Sequence, residues 1–305
     1  MIHGWIQVAF ERELSGELAE AWVGDRKLLL ARTQAGLRAF DAYCPHRGAD
    51  LSRGGKLSGD VIVCPFHGRR IGLTRSGEDG FCLRGYRTLA VGGLVFVLLS
   101  DAHDHGFSSL LEELNRTHFF VPGFTLSIRT APEYVIENAF DRRHFKQVHG
   151  IERTPDLALG SSRDGEMVVR GRFVTSLSNP WQGSVPDGSP AVLEFFARVY
   201  SPTLCVSELS DAELRYIVLT AATPGPSGEC LVRVSLAVPP AGDGAPPSEA
   251  SVRALLRDSR TALEQDKVIW EGLSRARVSR ATPDDDLLVA YDEFCRRFQG
   301  EEPPP

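Results

Sequence analysis

Four residues carry the clearest chemistry in this chain. Cys44-Pro45-His46 and, after seventeen intervening residues, Cys64-Pro65-Phe66-His67 each offer one thiol and one imidazole. Two cysteines and two histidines make a legitimate tetrahedral zinc set. They also make the divided ligand set of a [2Fe-2S] cluster, with both thiolates on one iron and both imidazoles on the other. Zinc fingers usually present paired cysteines followed by paired histidines. Here each half mixes one of each, which suits the two-iron cluster better. Pro45 and Pro65 fix φ inside the segments, and Gly48 and Gly68 permit left-handed backbone just after each histidine.

A second constellation lies in Glu137-Asn138-Ala139-Phe140-Asp141-Arg142-Arg143-His144-Phe145-Lys146-Gln147-Val148-His149-Gly150. Two histidines with a distant carboxylate form a facial triad that holds Fe(II) and leaves coordination positions open. His144 and His149 are five residues apart, about 140° around an ideal helix. They face one metal only if the helix ends or distorts between them, and Gly150 supplies a suitable end. Taken alone, two histidines in an amphipathic helix are more often a core or surface pair than ligands. The carboxylate candidate is Asp266, which falls in a stripe of Leu256, Ser259, Leu263, Trp270 and Leu273. An aspartate in an apolar stripe is costly unless it is paired or ligating. Glu264 and Glu271 read as solvated charges. Asp141 lies one turn before His144 and pairs with Arg142 or caps the helix. His103 and His105 read as part of a solvated linker, and His118 as structural or exposed.

The elements that must position these residues follow from patterning. The first hundred residues read as short strands, among them Trp5–Ala9, Lys27–Arg32, Leu37–Phe40, Val61–Val63 and Leu94–Leu99, which puts the cysteine–histidine segments at the tips of two hairpins. A linker with a short helix near Ser108–Asn115 follows. Then come a strand at Phe124–Thr130, a helix from Tyr134 to Val148, five strands between Met167 and Val238, a long helix from Ser248 to about Arg277 and a closing helix at Asp284–Phe298. The fold class is α+β, with boundaries at 1–102, 103–123 (linker), 124–298 and 299–305 (disordered tail). With 305 residues, 42% apolar and 24% charged, the composition is that of an ordinary globular protein, and a net charge of −6 argues against nucleic acid. No signal peptide or membrane span is evident, so a cytoplasmic location is expected. Cys82, Cys205, Cys230 and Cys295 read as buried free thiols.

Cys44-Pro45-His46-Arg47-Gly48-Ala49-Asp50-Leu51-Ser52 with Gly59-Asp60-Val61-Ile62-Val63-Cys64-Pro65-Phe66-His67-Gly68 resembles the N-terminal domain of Rieske non-haem iron oxygenases. The resemblance covers about residues 4–100. It departs at Arg69-Arg70-Ile71, where many members have an aromatic residue after the glycine. The two extra cysteines of respiratory Rieske proteins are absent, Ala49 and Phe66 standing at those positions. The segment around His144 and His149 also resembles the family's iron-binding helix, and Asp266 its late aspartate. The resemblance implies a helix-grip (START-like) antiparallel sheet for the second domain. It implies cluster ligands Cys44, His46, Cys64 and His67, and Fe(II) ligands His144, His149 and Asp266. Asp141 then joins a cluster histidine of one subunit to an iron histidine of the next, which requires a homotrimer, and Asn138 lies near the iron. The expected activity is hydroxylation or demethylation of a hydrophobic small molecule with O₂. A separate reductase or ferredoxin supplies electrons and docks near Arg47, Arg69 and Arg70. The compact second domain fits the single-subunit monooxygenase and demethylase branch. The alternatives are a desaturase or oxidative cyclase with the same iron site, and a non-catalytic electron-transfer or lipid-binding protein.

Overall fold

The computed structural model describes residues 3–75, 77–151, 153–175, 191–210, 215–242, 244–274 and 281–299. Strands β1 (Trp5–Phe10), β2 (Leu18–Val23), β3 (Arg26–Thr33), β4 (Gly36–Asp41), β5 (Lys56–Ser58), β6 (Val61–Val63), β7 (Arg70–Gly72), β8 (Gly85–Val91) and β9 (Leu94–Leu98) build the N-terminal part. Six of them form an antiparallel sheet in the order β1-β9-β8-β4-β3-β2, and β5-β6-β7 form a smaller sheet. Leu29, Phe40, Leu51, Ile62 and Ile71 pack together with Cys44 and Cys64 in one cluster, so both thiols are rooted in hydrophobic core.

The second part runs through α1 (Phe107–Thr117), β10 (Phe119–Ile128), α2 (Pro132–Glu137), α3 (Arg142–Gln147), β11 (Asp156–Leu159), β12 (Met167–Thr175), β13 (Ala191–Ser201), β14 (Leu204–Ser210), β15 (Arg215–Pro224), β16 (Cys230–Val238), α4 (Glu249–Trp270) and α5 (Asp286–Arg296). Its seven strands pair antiparallel in the order β10-β16-β15-β14-β13-β12-β11. Neighbouring residues on these strands serve different cores. Cys205, Leu209 and Val218 pack with residues of α2, α3, α4 and α5. Leu204, Val206, Ile217 and Leu219 pack with α1 and with Trp5, Phe10 and Phe96 of the first sheet. Both faces are buried, which is why these strands read as continuous apolar runs.

Residues 103–123 are therefore more than a connection. Phe107, Leu110, Leu111 and Leu114 of α1 sit in a core shared by both sheets. Strand β10 starts before Pro122 and passes it through a register shift between Pro122 and Phe124, the accommodation a residue without an N–H requires. His103 and His105 are half-buried rather than free in solvent: both rings pack on Phe298, with centroids 4.7 and 5.3 Å away. Cys82 is exposed, whereas Cys205, Cys230 and Cys295 are buried as expected. Helix α4 begins at a Ser248 cap, as the sequence predicts, but ends at Trp270 rather than near Arg277. The expected tail lies outside the described residues, apart from Gln299. Among the described residues, no helix is long and apolar enough to cross a membrane.

Candidate active site and metal-binding loops

The two cysteine–histidine loops share one backbone design. Gly48 N–H donates to Cys44 O (2.8 Å) and Cys44 N–H to Ala49 O (2.8 Å). Gly68 N–H donates to Cys64 O (3.0 Å) and Cys64 N–H to Arg69 O (2.9 Å). Closing the loop in this way needs positive φ at the glycine, and Gly48 (+71°) and Gly68 (+68°) supply it. Only the second loop is a hairpin tip, between β6 and β7. The first connects the larger sheet to the smaller and is closed by a bridge between Tyr43 and Asp50. Asp50 is held by Lys27 Nζ at 2.5 Å, and that ammonium is almost fully buried.

These loops bring the four residues together. The His46 and His67 rings stand 5.0 Å apart and nearly perpendicular. Cys44 and Cys64 are buried free thiols, and burial pushes the Cys44 thiol up. Two thiols in the core and two imidazoles beside them match the divided donor set that a [2Fe-2S] cluster takes. Arg47 and Arg70 are exposed, while Arg69 is paired with Asp79. The guanidinium of Arg69 lies over Phe81 (5.6 Å), and Phe81 packs against His46 (5.8 Å). An aromatic ring therefore reaches a cluster-loop histidine from Phe81, although the residues after Gly68 supply none.

The expected helix from Tyr134 to Val148 is two short helices with a break at 138–141. Asp141 caps α3: its Oδ1 accepts from Arg143 N–H (3.0 Å) and His144 N–H (3.3 Å). It does not pair with Arg142, whose guanidinium bonds Asp286 and Leu157 O. Helix α3 ends at Gln147. Gly150 follows with φ +67°, and Ile151 N–H reaches back to Phe145 O at 3.2 Å. That reversal removes the angular mismatch between residues five apart. The Nε2 atoms of His144 and His149 lie 3.2 Å from each other.

Asp266 completes the group, and the ligand atoms of His144, His149 and Asp266 lie within 4.8 Å of one another. The hydrogen bonds decide the tautomers. His144 Nδ1–H donates to Asp141 O (2.8 Å), and His149 Nδ1–H donates to Gln265 Oε1 (2.9 Å). Each Nε2 is thereby left as a lone pair, and the two lone pairs point at the same space. Asp266 Oδ1 is buried, without a hydrogen bond, 3.3 Å from His149 Nε2. Two converging imidazole lone pairs and an orphaned carboxylate oxygen are what a cation such as Fe(II) satisfies. Burial lowers the pKa of His144. Burial also opposes charge on His149, but the neighbouring Asp266 carboxylate and the bond to Gln265 outweigh it and the net shift is upward.

These three residues open onto a cavity between the sheet and the helices. Asn138, at the end of α2, lines it as well, as do Phe173, Phe195, Val218 and Trp270. Strands β12 to β16 thus supply one wall and the helices the other. Glu264 is exposed, but Glu271 is half-buried and its carboxylate accepts from Arg129 N–H at 3.1 Å. Sequence reasoning missed Gln265 and Phe81, neither of which carries a motif of its own.

Comparison with known proteins supports both halves. A family model described as Rieske [2Fe-2S] domain matches residues 4–82, and one described as 3-ketosteroid 9alpha-hydroxylase C-terminal domain matches residues 102–290. Cholesterol 7-desaturase nvd of Xenopus laevis is 40% identical over 202 residues, covering 58% of this chain and 43% of the relative. The oxygenase component of 3-ketosteroid-9-alpha-monooxygenase from Mycolicibacterium smegmatis is 35% identical over 96 residues, 27% of this chain and 22% of the relative. The matches thus span less than half the length of either curated relative. The structure of Pseudomonas putida CBB5 NdmA with caffeine superposes with a TM-score of 0.73 at 17% identity, covering 96% of this chain and 90% of that one. With a matching Rieske domain, a matching oxygenase C-terminal domain and a fitting donor set in each, the chain belongs to the Rieske non-haem iron oxygenases, which carry a [2Fe-2S] cluster and a mononuclear iron.

Proposed function

We propose that this chain is the terminal oxygenase component of a Rieske system and oxidises a hydrophobic, sterol-sized molecule. Cys44, His46, Cys64 and His67 hold the cluster; His144, His149 and Asp266 hold the iron. When bound, the two groups supply single electrons and dioxygen activation. The protein's own residues do the rest. The apolar cavity wall excludes water and seats the substrate beside the triad, and Asn138 stands next to the iron ligands. Asp141 holds His144 through its carbonyl and is the residue through which a neighbouring subunit's cluster histidine would connect, in a homotrimer. A separate reductase or ferredoxin provides the electrons, meeting the protein near the exposed Arg47 and Arg70. The observation that carries the reading is the pair of facing Nε2 lone pairs beside the orphaned Asp266 oxygen, all opening into an apolar cavity.

Hydroxylation, or hydroxylation followed by loss of the oxidised methyl group, consumes O₂, two electrons and two protons and releases one water. Desaturation consumes the same and releases two waters. The similarity to a cholesterol 7-desaturase favours keeping this second reading. Turnover of a sterol and aromatic-ether panel with a surrogate reductase under ¹⁸O₂ separates them. Hydroxylation puts label in the product, demethylation yields a product short of a methyl group, and desaturation yields an unlabelled product lighter by two hydrogens. If His144→Ala and Asp266→Ala keep both iron content and substrate-dependent O₂ uptake, the oxygenase reading fails.

A further inference from the structure

The cavity has one polar spot on its sheet wall. The inward-facing residues there are Phe173, Leu193, Phe195, Leu209, Val218 and Val234, all apolar, with Cys205, Ser207 and Thr220 among them. Strand pairing puts these three together: Thr220 of β15 lies directly opposite Cys205 of β14, and Ser207 is the next inward residue along β14. Diagonal neighbours of this kind are within reach of a single bound group. The hydroxyl of Ser207 contacts the Cys205 thiol at 3.5 Å. Burial pushes that thiol up to about 12, so it stays protonated. It can donate to Ser207 Oγ and leave the serine O–H free to point into the cavity. The other polar groups are committed elsewhere: Ser259 Oγ donates to Leu255 O within α4 (2.8 Å), and Asn138 belongs to the helix wall. The metal triad is on the helix side too, whereas the hydroxyls are on the sheet.

We propose that Ser207 and Thr220 form a substrate anchor that hydrogen-bonds a single carbonyl or hydroxyl oxygen at the end of an otherwise apolar molecule, away from the carbon that is oxidised. This rests on the proposed oxygenase function and narrows its substrate to a rigid, mostly hydrocarbon skeleton with one polar end. In an apolar pocket, a few convergent polar groups set orientation while apolar area supplies affinity. A site built to hydrogen-bond an oxygen also discriminates strongly against an analogue that lacks it. The anchor thereby chooses which carbon faces the iron.

Equilibrium dialysis of the cluster- and iron-loaded protein with 5α-androstan-3-one and with 5α-androstane tests this. In Ser207→Ala/Thr220→Val the Kd of the ketone rises about tenfold, one good hydrogen bond's worth, while that of the hydrocarbon changes less than twofold. Unchanged hydrocarbon binding shows that the variant cavity is folded, and isosteric Thr220→Val alone gives a partial effect. A ketone Kd within twofold of wild type in the double variant, or no ketone binding by wild type, overturns the proposal. Turnover under ¹⁸O₂ on the same preparations keeps the two ideas apart. Product with no change in ketone binding overturns the anchor alone; a change in binding with no product from any panel member overturns the oxygenase reading alone.

Discussion

Gln265 is the side chain whose removal most directly tests the metal-site argument. His144 is oriented by a backbone carbonyl, that of Asp141, which substitution cannot delete. His149 is oriented by a side chain, Gln265 Oε1 at 2.9 Å from Nδ1. Losing the partner that fixes a ligating imidazole typically lowers metal affinity 10–100-fold, or about 1.4–2.8 kcal/mol. Gln265 is exposed, so water can take over part of its role, and the effect belongs at the lower end, about tenfold. Gln265→Ala is therefore expected to raise the Fe(II) Kd about tenfold in competition with a chelator, without altering the cluster's visible spectrum. Gln265→Glu keeps the acceptor, makes His149 a stronger base and holds iron at least as well as wild type. His149→Ala, in the same assay, loses the mononuclear iron. If Gln265→Ala binds Fe(II) within twofold of wild type while His149→Ala does not bind it, the claim that Gln265 selects the His149 tautomer is wrong. If His149→Ala retains the iron, the ligand assignment itself is wrong.

Three further outcomes are expected. Asp141→Ala loses the α3 cap, costing about 1 kcal/mol and lowering Tm by about 2–4 °C. Asp141→Asn keeps an acceptor and the Tm but slows cluster-to-iron electron transfer in single-turnover measurements; equal slowing and equal Tm loss in both would leave only the structural role. Gly150→Ala strains a residue at φ +67° by about 1 kcal/mol and displaces the neighbouring His149, so mononuclear iron content falls more than the melting temperature alone would suggest. Asp50 is half-buried: burial raises its pKa, but hydrogen bonds from Lys27 and Ser52 outweigh this and leave it below the usual aspartate value. A depressed folded-state pKa stabilises above the unfolded value and loses that stability as pH falls through the folded one. Asp50→Asn is thus less stable than wild type in urea near neutral pH, with the gap closing as pH falls through the lowered Asp50 pKa; a gap that widens in acid would refute the assignment.

The two metal sites were legible in the sequence to different degrees, for a physical reason. The four proposed cluster residues sit in two short loops whose prolines and glycines encode their own shape, so local sequence came close to predicting that they are brought together. It erred only in making both loops hairpins, because the pairing partners of β4 and β5 lie in different sheets and that is settled by long-range contacts. The iron triad depends on non-local events. The sequence suggests one helix from Tyr134 to Val148, yet Asp141 offers its carboxylate to the N–H groups of residues 143 and 144 and starts a new helix there. Gly150 then turns His149 back. The stripe in α4 did reveal Asp266, because an aspartate among apolar residues signals an unusual partner whatever the tertiary structure. Gln265 sits one residue away on an exposed face and resembles any surface glutamine; only the approach of residue 149 gives it a role. Residues 103–123 were misread for the same kind of reason. Their polar residues look solvent-facing until Phe298 packs on His103 and His105, and the apolar face of α1 is buried only once both sheets are in place. Local chemistry thus announced what the chain can bind, while the positioning of the bound groups is written in contacts between segments more than a hundred residues apart, as in the bond from His149 to Gln265.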